Sequence, residues 1–203
     1  MKSFLLLAYE FLAEFGPFLV CLMLVGRGGG KFRRAKQSRW LPVLFALYVI
    51  AVFHVTWPGT VYDRPEGTVS ELLRRINFIP FSREIQPVGY GLNVVMFLPF
   101  GFLVPLMRRQ AALPAVAAGG LGFSLLIELS QLLSHRGTDV DDLIMNTLGA
   151  AIGYLLYRVF HRVTGGRFQG DAGAWEPAVY LLSLFLGRFA LFHYLGLVRL
   201  LYG

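Results

Sequence analysis

The sequence predicts an all-α membrane protein, a polytopic bundle of about five or six transmembrane helices. Hydrophobic residues make up 56% of the 203 positions, charged residues only 15%, and the mean hydropathy is +0.58. A soluble globular domain has roughly 25% charged residues. Long apolar runs separated by short basic segments complete the pattern. This composition indicates one membrane domain over residues 1–203.

Each apolar run is close to the roughly 20 residues that a transmembrane helix needs. The six predicted spans are 3–25, 41–57, 90–107, 111–134, 142–163 and 177–201. The first run lacks a small-residue cleavage pattern, so we interpret it as a retained helix and not a signal peptide. Cys21 is the only cysteine, which excludes an intrachain disulfide.

The loop charges predict the orientation. Residues 26–40 carry six basic residues and no acid, whereas the charges of 58–90 cancel. The turn at 108–110 contains two arginines, and residues 158–172, which lead into the loop at 164–176, contain three arginines against one aspartate. The positive-inside rule therefore places these three loops in the cytoplasm and the amino terminus outside. Because topology accounts for the net charge of +7, we expect no nucleic-acid partner.

The sixth run contains Arg188 near its middle, which costs about 2.5–3.5 kcal/mol on insertion scales. Two interpretations remain open. Either Arg188 pairs with Glu14 at a similar depth of the first span, or 177–201 lies flat on the membrane surface as an amphipathic helix.

Polar residues cluster where the fourth span ends and the fifth begins. Glu128 and Gln131 are three residues apart and project from one face. On the fifth span, Asp142 and Asn146 begin a stripe that continues into the GxxxG pattern of residues 149–153, which allows close helix packing. Groups this polar within apolar helices pack together, face water or bind a ligand.

Structural roles compete with function for several of these residues. Asp139 is suited to cap the fifth span, with Asp142 in its first turn. Glu128, Gln131 and Asn146 are also consistent with a hydrogen-bond network that only packs helices. Arg136 is either a rim residue or the partner of Glu128.

Two further segments are expected beside the cluster. Asn93 lies near the outer end of the third span, and Pro99 in the same run predicts a kink. The loop segment 74–81 combines Asn77 with apolar residues and Pro80. We expect it to dip back to the membrane surface and cover the cluster.

These segments together resemble the VanZ-like family in content and order. The resemblance consists of NFIPF at 77–81, NVVMFLPFG at 93–101, ELSQ at 128–131, Arg136 and DVDDLIMNTLG at 139–149. It covers about residues 40–160 and leaves out 3–25 and 177–201. The resemblance implies a multi-pass helical protein of the bacterial cytoplasmic membrane, in a family named for a protein associated with teicoplanin resistance.

The favoured hypothesis is an outer-leaflet polar pocket that binds a lipidated or lipid-linked molecule. Its ligand would be a teicoplanin-like lipoglycopeptide or a cell-envelope lipid precursor, and its surroundings membrane lipids. Arginines would contact phosphate or carboxylate groups. The predicted binding residues are Asn77, Asn93, Glu128, Gln131, Arg136, Asp139, Asp142 and Asn146.

Two other functions stay open. In a membrane enzyme acting on a lipid head group, Glu128, Asp139 and Asp142 would serve as acid and base or collect a divalent cation. In a small-molecule or ion-coupled transporter, Glu14 and Arg188 would lie on a proton path. The residues assign neither a catalytic set nor a resident metal or cofactor.

Overall fold

The computed structural model describes residues 2–27, 40–63, 68–82, 86–134, 137–194, 196 and 198. The all-α prediction is confirmed, because only two strands of two residues accompany the helices within these ranges. The strands, β1 (Ile76–Asn77) and β2 (Thr138–Asp139), pair in parallel. The helices are α1 (Lys2–Arg27), α2 (Leu41–Thr56), α3 (Val69–Arg74), α4 (Pro87–Met107), α5 (Leu113–Gln131), α6 (Val140–Thr164) and α7 (Glu176–Leu191).

A helix occupies most of the described residues of each of the six predicted spans. Among the described residues, four helices are long and apolar enough to cross a membrane, namely Leu5–Val25, Pro87–Met107, Leu113–Ser134 and Val140–Thr164. Helices α2 and α7 have 16 residues each, so each is about 24 Å long against roughly 30 Å of bilayer hydrocarbon. The sixth span was predicted to reach residue 201, but α7 ends at Leu191. Residues 195, 197 and 199–203 lie outside the described ranges.

Local sequence signals set the helix ends. Helices α2, α4, α5 and α7 each have a proline at their first or second position, where its missing N–H has no intrahelical partner anyway. Helix α6 begins differently. Asp139 accepts a hydrogen bond from the backbone N–H of Asp141 at 3.0 Å, and Gly165 ends the helix with a φ of 59°.

A seam of glycines brings α4 and α6 into parallel backbone contact. A Cβ added to Gly149 would lie 2.3 Å from the carbonyl oxygen of Val94, and one added to Gly153 would lie 2.1 Å from that of Leu98. On α4, a Cβ at Gly101 would lie 1.9 Å from the carbonyl oxygen of Ala150. The prediction that the GxxxG pattern permits close packing is therefore confirmed.

The remaining helices complete an alternating bundle. Helix α5 runs antiparallel to α6 and packs mainly against it, and α2 runs antiparallel to α4. Their shared core is rich in buried aromatic rings, with Phe97 and Phe123 at a centroid distance of 5.2 Å. We call the end at which α4 and α6 begin, and α2, α5 and α7 finish, the polar end. The basic turn after α4 lies at the opposite end.

Helices α1 and α7 pack antiparallel, and an ion pair joins them. Arg188 Nη1 lies 2.7 Å from Glu14 Oε1 and also contacts Glu10 Oε1. Arg188 and Glu14 are both fully buried. The predicted pair of Glu14 with Arg188 is thus confirmed, with Glu10 as a second carboxylate. Helix α7 thus packs along α1 as part of the bundle, with Leu182 and Leu186 on its exposed face.

Replacement of Gly153 by alanine tests the seam. We expect Gly153→Ala to destabilise the protein by about 1–3 kcal/mol, since the methyl group would meet a backbone oxygen that cannot move aside. Unfolding in detergent, followed by heat or denaturant, measures the loss. Gly122→Ala on α5 is the matched control, because no heavy atom lies within 4 Å of its added Cβ. If Gly153→Ala and Gly122→Ala unfold with equal stability, α4 and α6 are not in close backbone contact at Gly153.

Candidate binding site

The polar end is organised around the amino terminus of α6. Asn77 in β1 donates from Nδ2 to both carboxylate oxygens of Asp139, at 3.1 and 3.3 Å. The side-chain oxygen of Asn77 accepts hydrogen bonds from the backbone N–H of Ile79 and the hydroxyl of Ser82. One asparagine therefore shapes its own loop and fastens it to the helix cap. Asn77 and Asp139 are both half-buried.

Asp141 provides a second attachment for the same loop. Its Oδ1 accepts the backbone N–H of Phe81 at 2.8 Å, and its Oδ2 accepts the hydroxyl of Tyr90 at 2.6 Å. Phe81 has a φ of 55°, a left-handed conformation that costs a non-glycine residue about 1–2 kcal/mol. The charge-assisted hydrogen bond to buried Asp141 offsets this cost.

Asp142 and Asn93 connect α6 with α4. Asn93 donates from Nδ2 to Asp142 Oδ1 at 2.5 Å, and both side chains are half-buried. Asp142 Oδ2 accepts no hydrogen bond from the described residues. The half-buried Asp142 therefore keeps one carboxylate oxygen for a further hydrogen bond.

Three predicted binding residues are instead buried between helices. Glu128 accepts the backbone N–H of Asp139 at 3.3 Å, and Gln131 donates to the carbonyl oxygen of Thr56 at 2.7 Å. Asn146 donates to the hydroxyl of Ser124 at 2.8 Å. With 4–7% of their surface exposed, Glu128, Gln131 and Asn146 hold helices together. These contacts agree with the structural alternative given above, in which the three residues form a hydrogen-bond network that only packs helices together.

The predicted binding residues thus fall into two groups that differ in burial. Asn77, Asn93, Asp139 and Asp142 are half-buried and close to one another, whereas the three interhelical residues are enclosed. Arg136 lies outside the described residues, as does its predicted pairing with Glu128. Among the residues described, no group of three or more His, Cys, Asp or Glu side chains is arranged to hold a metal ion.

Asp141 is the site residue that the sequence did not predict. It lies between Asp139 and Asp142, which are both in the predicted set. Its first-turn position in α6 was a signal for a helix-cap interaction. Its contacts with Phe81 and Tyr90 depend on how the loop folds back, which no local pattern specifies.

Exposed apolar side chains surround the cluster. Phe78, Ile79 and Phe81 in the loop are 70%, 68% and 50% exposed. On the outer face of α4, Val88 and Leu92 are 76% and 64% exposed. The ring of Phe81 packs edge-on against Tyr90, so the loop lies beside the start of α4. The half-buried polar groups therefore adjoin a surface suited to lipid.

Comparison with known proteins decides the family. A model of the VanZ/LLP1 family matches residues 40–161, which include the whole polar cluster. The chain belongs to the VanZ/LLP1 family. The predicted resemblance is confirmed, and with its long apolar helices the chain is a multi-pass protein of the bacterial cytoplasmic membrane. The family match leaves out α1 and α7, and with them the Glu14–Arg188 pair.

The alignment with one relative covers a shorter part of the chain than the family model does. "Protein VanZ" of Enterococcus faecium is 33% identical to this chain over 85 residues, or 41% of the chain. The aligned part is 53% of that relative, so the chain spans about half of its length. No solved structure matches the chain.

Removal of the Asp141 carboxylate tests the loop attachment. In Asp141→Ala we expect amide hydrogens of residues 77–82 to exchange at least about tenfold faster, because two hydrogen bonds to a buried carboxylate are lost. Hydrogen–deuterium exchange of the purified protein measures this rate. Tyr90→Phe removes only one of the two donors and should have a smaller effect. Unchanged exchange in Asp141→Ala would show that the carboxylate does not hold the loop.

Proposed function

We propose that this VanZ/LLP1 family protein binds a lipidated or lipid-linked molecule at its polar end and contributes to antibiotic resistance. A teicoplanin-like lipoglycopeptide is the proposed ligand class, and an envelope lipid precursor has the same combination of polar head and acyl chain. Arg27 at the end of α1 and the turn at 108–110 lie at the opposite end of the bundle, and the sequence between α1 and α2 is basic. By the positive-inside rule, the polar end then faces the outside, where such ligands occur.

The observation that carries the proposal is the position of Asp142 and Asn93 beside exposed apolar side chains. A lipidated ligand needs hydrogen-bonding partners for its head and apolar surface for its chain. Phe78 and Ile79 on the loop and Leu92 on α4 offer the apolar surface within a few residues of the polar groups. Burial of each large side chain against an acyl chain contributes roughly 1.5–3 kcal/mol.

The polar groups also favour a particular head chemistry. Asp139 and Asp142 present carboxylate oxygens, which accept hydrogen bonds and attract positive charge. Ammonium and hydroxyl groups of a ligand therefore suit this side of the site. Arg136 remains a predicted contact for a ligand carboxylate or phosphate, and Arg74 is exposed just before β1.

The hydrogen bonds favour binding over acid–base catalysis. A general acid and a general base need two carboxyl groups that can exchange protons with a substrate. Glu128 and Asp139 both accept hydrogen bonds from the backbone that shape the loop and the helix cap. Asp142 differs from these two in that its Oδ2 accepts no hydrogen bond from the described residues.

A pair of ligands that differ only in the acyl chain tests the proposal. The full chain in nanodiscs should bind a fluorescent teicoplanin-like lipoglycopeptide at least about tenfold more tightly than its deacylated form, since chain burial supplies more than about 1.4 kcal/mol. Phe78→Ser with Ile79→Ser should abolish most of this difference. Both side chains are exposed, so their replacement should leave the fold intact.

Val61→Ser is the matched control, because Val61 is an exposed apolar residue near the same end and outside the proposed site. It should preserve the preference for the acylated ligand. Equal affinity for the two ligands, or no binding by folded protein, would overturn the proposal. Mass spectrometry of the recovered ligand adds a second criterion, because chemical conversion would identify an enzyme instead.

A further inference from the structure

A small cavity lies at the polar end, between the segment that follows α2 and the carboxyl end of α7. Its volume is about 130 Å³. On one side Val61 N–H donates to the carbonyl oxygen of Phe189, and the ring of Tyr62 stacks on that of His193 at a centroid distance of 4.1 Å. These contacts join the two segments that form the wall. The lining residues are Trp57, Pro58, Thr60, Tyr62, Asp63, Arg188, Phe192, His193 and Tyr194.

The guanidinium of Arg188 is closed off from an occupant of this cavity. Its Nη1 donates to Glu10 and Glu14, and its Nε and Nη2 have almost no accessible surface. The guanidinium carbon lies 4.3 Å from the ring centroid of Phe192 and 5.0 Å from that of Trp57. Arg188 therefore supplies no hydrogen-bond donor to an occupant, and the two glutamates offset its positive charge.

The charges around the cavity favour a cation. Asp63 places a carboxylate in the wall itself, and Glu10 and Glu14 lie behind the wall on Arg188. Three acids thus surround one guanidinium. With the adjacent histidines neutral, the local net charge is negative even if one of the glutamates holds a proton. A site of this charge attracts cations and repels phosphate or carboxylate groups.

Asp63 is the hydrogen-bond acceptor of the wall. Its Oδ2 accepts the backbone N–H and the hydroxyl of Thr60, at 2.6 and 3.0 Å. Its Oδ1 accepts no hydrogen bond from the described residues, and the residue is half-buried. A protonated amine can therefore donate to Oδ1 and at the same time place its charge beside a carboxylate, which makes a strong hydrogen bond.

The aromatic part of the wall suits the carbon atoms of an organic cation. Trp57 and Tyr194 meet edge to face at a centroid distance of 5.4 Å, and Phe192 packs against both rings. An organic cation is attracted to the faces of such rings within about 6 Å. A metal ion would instead need several oxygen ligands, and Asp63 is the one carboxylate among the described lining residues.

We propose that this cavity binds an alkylammonium group. The ammonium N–H donates to Asp63, and the attached carbon atoms lie against Trp57 and Tyr194. Soluble amines and the head group of an aminophospholipid such as phosphatidylethanolamine share this chemistry. The cavity is separate from the polar cluster around Asp142, which does not line it. The proposal therefore goes beyond the binding of a lipidated ligand.

Trp57 is the reporter for this site. Trp40 and Trp175 precede α2 and α7 at the opposite end of the bundle and are 75% and 78% exposed. Replacement of both by phenylalanine leaves a full-length protein with one tryptophan, in the cavity wall. This protein is titrated in an uncharged maltoside detergent with propylammonium, 1-propanol and propionate. The three probes are similar in size and differ in charge.

We expect a saturable change in Trp57 emission with propylammonium, with half-saturation in the roughly millimolar range. The same concentrations of 1-propanol or propionate should produce no saturable change at equal ionic strength. The titration is run at about pH 8, which is above the ordinary pKa of imidazole and below that of an alkylamine. None of these probes carries an acyl chain, so failure here is distinct from failure of the lipoglycopeptide proposal.

A lipid arm distinguishes the two sources of the ammonium group. Phosphatidylethanolamine and a diacylglycerol with the same acyl chains are added separately to the detergent micelles. If the ligand is a lipid head group, phosphatidylethanolamine should weaken the apparent affinity for propylammonium and the diacylglycerol should not. If the ligand is a soluble amine, neither lipid should compete.

Charge variants assign the signal to the cavity. Asp63→Asn retains an oxygen for Thr60 and should weaken propylammonium binding at least about tenfold, because a charged acceptor is lost. Asp171→Asn is the matched control, since it removes an exposed acid at the opposite end of the bundle. It should leave the affinity within about twofold.

Ring variants test the aromatic part of the wall. Tyr194→Phe keeps the ring and should leave propylammonium affinity within about twofold, whereas Tyr194→Leu keeps only an apolar side chain and should weaken it about threefold. Equal saturation by 1-propanol or propionate would overturn the proposal. So would the absence of any response to propylammonium in reporter protein that unfolds at the unaltered temperature.

Discussion

The amino end of α6 is the constraint on which the rest of the polar end depends. Three carboxylates within four residues receive donors from separate parts of the chain: Asp139 from β1, Asp141 from the loop and Asp142 from α4. The contacts of Tyr90 with Asp141 and of Asn93 with Asp142 bridge α4 and α6, which the glycine seam holds in backbone contact. Close packing in the apolar region therefore fixes the spacing of the polar groups above it.

The polar residues at this end fall into two groups, one enclosed between helices and the other nearer the surface. Glu128, Gln131 and Asn146 satisfy partners inside the bundle, where an unpaired polar group is expensive. Asn93 and Asp142 lie nearer the surface and adjoin exposed apolar side chains. The enclosed residues thus keep the half-buried ones in position. The Glu14–Arg188 ion pair likewise holds α1 and α7 together, and both helices lie outside the family match.

The sequence was sufficient to predict the helices, close packing at the GxxxG pattern and the Glu14–Arg188 pair, but not that α4 is the helix packed against this pattern. These features follow from hydrophobic length, small residues at helical spacing and the cost of an unpaired charge in an apolar region. The role of Asp141 could not be predicted in the same way. Successive residues of a helix differ by about 100° in direction, so Asp141 and Asp142 contact different elements. Which of them meets the loop depends on tertiary packing, as does the parallel pairing of β1 with β2.

The central claim is that the polar end faces the outside of the cell, where a lipidated ligand can reach it. Because Cys21 is the only cysteine, Cys21→Ser provides a cysteine-free background. Ser70→Cys then places an exposed thiol in α3 at the polar end, and Gln110→Cys places one at the opposite end. The account predicts that a membrane-impermeant maleimide labels Ser70→Cys in intact spheroplasts, and Gln110→Cys only after the membrane is opened. Labelling of Gln110→Cys alone in intact spheroplasts would contradict it.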